Sequence, residues 1–520
     1  MASSVVLATP APISHRTAEE NLGLAYLAAV LRSHGFPVVI LDAWLSGWSE
    51  EVLSQRILAC GEILWIGFSA YRSNMEQAIK TIDLLRAAGL TAPVVAGGYG
   101  PTFHTETFLR AGFDFVVRGE GEWTALDLTR HFLTGHPPLA FIPNLSFLQA
   151  GRIVDTPHRP LIQDLDTLPD PARDTMPMSM ARKSAIHIDS SRGCHGKCVF
   201  CSVTSFFHLA PGRQWRERSI VRFVDELERL TRRGISCFKV LDDSFLEPPR
   251  DLAWCRSLAD EIQSRGLEVQ LRGSLRADQV TGEIVGELKR AGFFSFACGI
   301  ENFSDTALKR MRKRATKQEN LQALASFKEH GIYVQAGHIL FDQGTTLCEL
   351  QENLEQMRQT MWTLSKGIFS IMFAADGTPL AHRLRRHGTL LEDPHGFGNN
   401  NYDLENPEVL PVYEGLRLWH KAHSVTYDKT MDPLSAPKAI SPQCRRGFHA
   451  LSLDLRQQDL AVMSQLLDLA MAERPMKEVL AYVHQTILDK QPFYRALEEK
   501  LGALYRETGL VYDAAVNPFI

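Results

Sequence analysis

At 520 residues, 45% of them apolar, the chain has enough material for roughly three or four domains, each with its own core. Its 56 basic and 60 acidic residues give a formal charge of -4, which excludes a global basic field for nucleic acid and a polybasic membrane-binding tail. No positively charged leader opens the chain and no apolar run approaches a membrane span, so a cytoplasmic protein is expected.

Val5-Val6-Leu7-Ala8, closed by Thr9-Pro10, reads as a buried strand. Residues 21–31 have helical spacing and end at His34-Gly35, where glycine supplies a left-handed cap. Further strands are expected at Val38–Leu41, Leu64–Phe68, Val94–Gly98 and Phe113–Val117, with a helix from Met75 to Ala88. This alternation predicts a Rossmann-like, doubly wound parallel sheet over residues 1–140, with its ligand at the carboxyl ends of the strands. Those ends carry Ser69-Ala70-Tyr71-Arg72, Gly97-Gly98-Tyr99 and Arg118-Gly119-Glu120-Gly121-Glu122. Glycines there let a large flat ligand, or its phosphate, approach the backbone.

Residues 141–184, rich in proline and aspartate and without helical periodicity, read as an ordered interdomain linker. Strand-like runs then recur at 185–188, 237–241, 269–272, 294–299, 334–340 and 369–373, separated by helical stretches. About six such units over residues 185–385 predict a partial (β/α)6 barrel with ligand groups at its carboxyl face. The basic run Lys309 to Lys317 reads as the solvated end of a helix. Residues 386–520 read as a mainly helical substrate or capping region, with a loop-rich passage at 392–411 and helices at 414–423, 454–472 and 476–489. Tyr402, Tyr413, Trp419, His420 and Tyr427 are either core aromatics or the lining of a substrate pocket.

The most specific stretch is Ser191-Arg192-Gly193-Cys194-His195-Gly196-Lys197-Cys198-Val199-Phe200-Cys201. Three thiols spaced C-x-x-x-C-x-x-C can converge on one metal cluster. A four-iron, four-sulfur cubane normally takes four cysteines, so three leave one iron available to a small molecule bearing an amine and a carboxylate. A zinc site would need a fourth ligand, for which His195 is the local candidate. Cys60, Cys237, Cys255, Cys298, Cys348 and Cys444 are scattered singly and read as core residues or free thiols, so no disulfide framework is expected.

That cysteine spacing, with aromatic Phe200 before the third thiol, resembles the signature of the radical S-adenosylmethionine superfamily. The first 140 residues resemble the cobalamin-binding domain that precedes the radical domain in one branch of it, and the likeness runs over about residues 5 to 385. The resemblance implies a [4Fe-4S] cluster on Cys194, Cys198 and Cys201, S-adenosylmethionine and cobalamin as cofactors. It implies roles toward S-adenosylmethionine for Phe200, Asp242 or Asp243 (amine), Arg276 (carboxylate), Glu301 (ribose) and Ile339 (adenine). Toward cobalamin it implies Ser69, Gly97, Gly98, Gly119 and Glu120, with Tyr71 or Arg72 under the cobalt. The sequence departs from many cobalamin proteins by lacking D-x-H-x-x-G after the first strand, where it has Thr9 to His15; the string at Asp393–Gly398 reads as chance.

The implied activity is C-methylation of an unactivated carbon in a natural-product intermediate, through a 5'-deoxyadenosyl radical and methylcobalamin. The substrate would be a small or peptide-derived molecule, and a flavodoxin or ferredoxin would donate electrons. The same machinery also serves cyclisation, rearrangement, deoxygenation or dehydration. A reading of another class, a cobalamin or iron-sulfur sensor, lacks a recognisable DNA-reading module in this sequence.

Overall fold

The computed structural model describes residues 3–12, 19–364, 366–391 and 402–510. His15 and the string at 393–398 lie outside the described residues. The chain forms two compact units. One holds the residues up to Gly193 together with Ser202–Arg222; the other holds Cys194–Cys201 and the described chain from Phe223 onward.

The first unit is built on a seven-stranded sheet: β1 Ser4–Thr9, β2 Val38–Asp42, β3 Ile63–Ser69, β4 Val94–Gly97, β5 Phe115–Val117, β6 Leu145–Gln149 and β7 Arg152–Asp155, in the order β2-β1-β3-β4-β5-β6-β7. β1 to β5 are parallel. The order reverses direction at β1, and the resulting switch point between β1 and β3 is where open α/β sheets take ligands. Strand alternation divides the sheet between two cores. Val5, Leu7, Trp65, Val95 and Val117 face Leu24, Val30 and Leu126 on one side; Val6, Ala8, Ile66, Phe68, Ala96 and Val116 face Leu53, Ile82 and Phe108 on the other. Each fully buried aliphatic side chain contributes about 1.5–3 kcal/mol, so a one-residue slip that exchanged the faces would forfeit several such terms.

Helix Leu22–Ser33 is fixed at both ends as its sequence anticipates. Asn21 accepts the Leu24 N–H at 3.1 Å, and Gly35 takes a φ of +84° just past the last turn. The stretch expected to be a connector begins differently. Its first residues form the antiparallel hairpin β6–β7, which extends the sheet beyond β5. The two residues of its turn, Ala150 and Gly151, both have positive φ, as a tight two-residue hairpin requires.

The second unit contains parallel strands Cys237–Val240, Gln270–Arg276, Phe293–Glu301 and Tyr333–His338, adjacent in chain order. Helices Leu252–Ser264, Gly282–Arg290 and Lys317–Glu329 alternate with them, and Leu347–Gln359 follows the last. Thr316 with Glu319 and Thr346 with Glu349 form capping boxes that fix two of the helix starts. The sixth expected run, 369–373, meets its neighbour through one parallel bridge, Phe341 to Ile371. Three long helices follow, Leu410–Ser435, Pro442–Met471 and Met476–Thr508. Tyr402, Tyr413, Trp419, His420 and Tyr427 are all buried. Among the described residues no helix is long and apolar enough to cross a membrane.

Candidate cofactor sites

The cysteine loop is tied down by its own backbone. Val199 N–H donates to Met311 O at 3.0 Å, and Val199 O accepts from Leu380 N–H at 2.9 Å. Phe200 and Ile339 both pack against the cluster formed by Val199, Met311, Met372 and Tyr402, so the loop and the residue just past strand Tyr333–His338 share one apolar seat. Gly196 donates its N–H to Cys194 Sγ at 3.2 Å. A Cβ at Gly196 would stand 3.2 Å from Cys194 Sγ and 3.9 Å from Cys198 Sγ, so glycine keeps the space beside both sulfurs clear.

Burial pushes the Cys194 thiol up to about 12 with help from the Glu247 carboxylate, and burial also raises Cys198. Among the described residues, no three His, Cys, Asp or Glu side chains close on a single ion. A cubane makes no such demand, because each thiolate meets a different iron. Three partly buried thiols on one pinned loop, with a glycine between two of them, fit a cluster of that kind.

Around this loop the structure assembles charges that the sequence only partly discloses. Arg276, at the end of strand Gln270–Arg276, donates to Glu247 at 2.8 and 3.1 Å and to both oxygens of Asp278. Glu247 is fully buried, accepts from the Cys194 thiol at 3.2 Å and lies 3.4 Å from His195 Nδ1. Its only sequence signal is its place five residues after Asp242, in the loop that follows strand Cys237–Val240. Of the two expected amine acceptors, Asp242 is buried and paired with Arg250 at 3.4 Å, whereas Asp243 is exposed.

Glu301 stands at the end of strand Phe293–Glu301 with a φ of +60°, and its carboxylate meets Lys313 Nζ at 2.8 Å. The Lys313 side chain is 5% exposed, which corrects the reading of the 309–317 run as a solvated helix end. Arg310 also turns inward, to Asp342 and Glu349, while Arg312 and Arg314 face solvent.

In the first unit, Ser69 and Gly97 are register partners at the ends of β3 and β4. Gly98 has a φ of +96°, and a Cβ there would stand 3.0 Å from Ala70 O and 3.5 Å from Ser69 Oγ. The serine loop and paired glycines are therefore one surface, drawn close because position 98 has no side chain. The Asn74 amide joins this loop to β1 by donating to Pro10 O at 2.8 Å. Arg72 opens a short 3-10 turn. Along the same edge Trp44 meets Tyr71 edge-on, Tyr71 stacks on Tyr99, and Tyr99 stacks on Phe206 with ring centres 4.4 Å apart. Phe206, from the helix just after the third cysteine, was not singled out by the sequence.

Gly119, with a φ of +84°, donates its N–H to Thr102 Oγ1 at 3.2 Å. Glu120 is instead engaged by protein: it accepts from Ile162 N–H at 2.8 Å and Arg216 Nη1 at 2.7 Å, and lies 3.4 Å from Arg192 Nη1. That places its carboxylate among cations of its own chain, apart from the Ser69–Gly98 surface in its bonding.

The first unit thus offers a parallel sheet with a glycine-lined carboxyl edge, and the second a parallel sheet with three spaced thiols on one pinned loop. Residues 13–129 match the B12 binding domain, and residues 188–357 match the radical SAM superfamily. The uncharacterized methyltransferase PH0819 of Pyrococcus horikoshii is 30% identical over 326 residues, covering 61% of this chain and 69% of that protein. The anaerobic magnesium-protoporphyrin IX monomethyl ester cyclase of Synechocystis sp. is 29% identical over 344 residues, covering 63% of this chain and 66% of the cyclase. The match thus spans about two thirds of each relative's length. The structure of the cobalamin-dependent S-adenosylmethionine radical enzyme OxsB with aqua-cobalamin and S-adenosylmethionine bound matches with a TM-score of 0.77 at 17% identity, over 98% of this chain and 84% of that one. This chain belongs to the radical SAM superfamily, in the branch that carries a B12 binding domain ahead of the radical domain.

Proposed function

We propose that the protein is a cobalamin-dependent radical S-adenosylmethionine C-methyltransferase acting on an unactivated carbon of a small-molecule or peptide-derived substrate. The observation that carries this reading is the pinned Cys194–Cys201 loop, on a chain that also has the Ser69–Gly98 surface and a methyltransferase relative. When bound, the cluster and S-adenosylmethionine supply hydrogen abstraction from carbon, and cobalamin supplies a methyl carrier.

The residues divide the work. Cys194, Cys198 and Cys201 hold the iron, with Gly196 leaving room beside two of the sulfurs. Asp243 accepts the ammonium of S-adenosylmethionine, because Asp242 is engaged with Arg250. Arg276 is oriented toward the methionine carboxylate by Glu247 and Asp278, Glu301 accepts from the ribose, and Phe200 and Ile339 bound the adenine side. Ser69, Gly97, Gly98 and Gly119 would admit the cobalamin tail, and Tyr71 or Arg72 would be the residue offered to the cobalt, while Glu120 accepts from Arg216 and Ile162.

The test is to reconstitute the chain anaerobically with iron, sulfide and hydroxocobalamin, then supply reductant, a flavodoxin or ferredoxin, candidate substrates and S-adenosylmethionine labelled at its methyl group. Labelled product, with 5'-deoxyadenosine and S-adenosylhomocysteine formed together, is the expected result. The kinship with the cyclase supports a second reading, radical cyclisation or rearrangement. For that reading, 5'-deoxyadenosine would appear without S-adenosylhomocysteine.

A further inference from the structure

We propose that Lys313 is a positioning residue of the cofactor site: its buried ammonium holds the Glu301 carboxylate and sets the charge beside Cys198, and so tunes the reduction potential of the cluster. This rests on the reading above that the three thiols hold an iron-sulfur cluster.

Three features fix the lysine. First, the segment that carries it is bonded to the cysteine loop itself, through Val199 N–H to Met311 O. Second, the turn after helix Asp305–Arg310 aims it inward. Arg312 takes a left-handed φ of +52°, and Lys313 N–H then returns to Leu308 O at 2.9 Å. Third, the strand opposite makes room for it. A Cβ at Gly299 would stand 2.7 Å from both Glu301 Oε1 and Lys313 Nζ, so a side chain there would push both charged ends aside from this place.

The pair is costly to keep without a use. Burying an ammonium and a carboxylate removes both from water, and an apolar pair of similar size is often as stable or more so. What an apolar pair would not supply is charge. Both charges lie close to the cysteine loop, since Lys313 is two residues past Met311, whose carbonyl accepts the Val199 N–H, and its ammonium meets Glu301 at 2.8 Å. Cluster potentials respond to net charge and to hydrogen bonding nearby. A reduced cluster carries one more negative charge, so a buried cation favours reduction and a buried anion disfavours it. Removing Lys313 should therefore move the potential down, and neutralising Glu301 should move it up. A pair that merely braces the fold gives no reason for opposite signs.

The experiment is an anaerobic redox titration of the full reconstituted chain at pH 8, read by electron paramagnetic resonance, on wild type, Lys313→Gln, Lys313→Arg and Glu301→Gln. Iron content and S-adenosylmethionine affinity are measured on the same samples. Expected are about four irons in each, a more negative potential in Lys313→Gln, a more positive one in Glu301→Gln, and a potential near wild type in Lys313→Arg. Affinity for S-adenosylmethionine should fall about 10-fold or more in Lys313→Gln, in line with the loss of groups that orient a site, and recover in Lys313→Arg. A Lys313→Gln potential equal to wild type, or shifts of the same sign in Lys313→Gln and Glu301→Gln, would overturn the inference while leaving the cluster assignment intact. A wild-type chain that takes up no cluster would overturn the assignment and the inference together.

Discussion

The Glu247 carboxylate and the Arg276 guanidinium share two hydrogen bonds, at 2.8 and 3.1 Å, and the same carboxylate accepts the Cys194 thiol at 3.2 Å. One buried anion thus couples a cofactor-facing arginine to a cluster-facing cysteine. Glu247→Gln should ease ionisation of Cys194, since it removes a nearby negative charge and leaves Arg276 closer to an uncompensated cation. Alkylation of Cys194 in the metal-free chain at pH 8, followed by peptide mass spectrometry, should run faster in the variant than in wild type. Truncation to Ala is a harsher change. It leaves a buried arginine short of one partner and should cost about 3–5 kcal/mol in urea unfolding.

Cys198→Ala should abolish both cluster and S-adenosylmethionine cleavage. The side chain is partly buried in a loop whose backbone is held from two sides, so the substitution changes a ligand with little change of fold. Iron content should fall well below wild type while thermal unfolding stays within about 1 kcal/mol. Retained iron and retained 5'-deoxyadenosine formation would show that the loop does not hold the cluster.

Much of the fold was legible because it is written in local periodicity. The parallel strands of the first unit, the asparagine cap at Asn21 and the glycine stop at Gly35 all follow from neighbouring residues. The hairpin β6–β7 was harder, since its short strands sit in a stretch read for its proline and aspartate content. The cysteine loop was legible for its spacing. Glu247 and Lys313 were not, because their meaning lies in contacts with Arg276, Cys194 and Glu301, up to 53 positions away. A charge run reads as solvated until the fold shows which of its members turns inward.

Gly98→Ala tests the glycine edge. A φ of +96° is strained for any residue with a Cβ, and that Cβ would stand 3.0 Å from Ala70 O. Gly112 has almost the same φ, +97°, with nothing within 4 Å of its would-be Cβ. Both alanine variants should lose about 1–2 kcal/mol in urea unfolding. Only Gly98→Ala should also weaken cobalamin binding, followed by the absorbance of retained cofactor after desalting. Equal cobalamin retention in the two variants would detach the glycine pair from the ligand.

The second unit should lose stability in mild acid. Burial lowers His338 to about 3, with the nearby Arg456 adding to the effect, and lowers His420 and His423 to about 4. A histidine held neutral in the fold contributes stability that is complete above its unfolded value of about 6.5 and is lost as pH falls toward the folded value. Asp459 works the other way. Burial raises it to about 6 despite hydrogen bonds from Tyr427 and Trp419, so its contribution is present below about 4 and lost as pH rises through 6. Three histidines outweigh one aspartate, and the melting temperature should drop between pH 6.5 and 4. His338→Phe should flatten that drop, because it removes the group with the largest displacement. Asp459→Asn should steepen it by removing the opposing group. A melting temperature independent of pH across this window, or a steeper fall in His338→Phe, would mean that these rings take up protons in the folded chain.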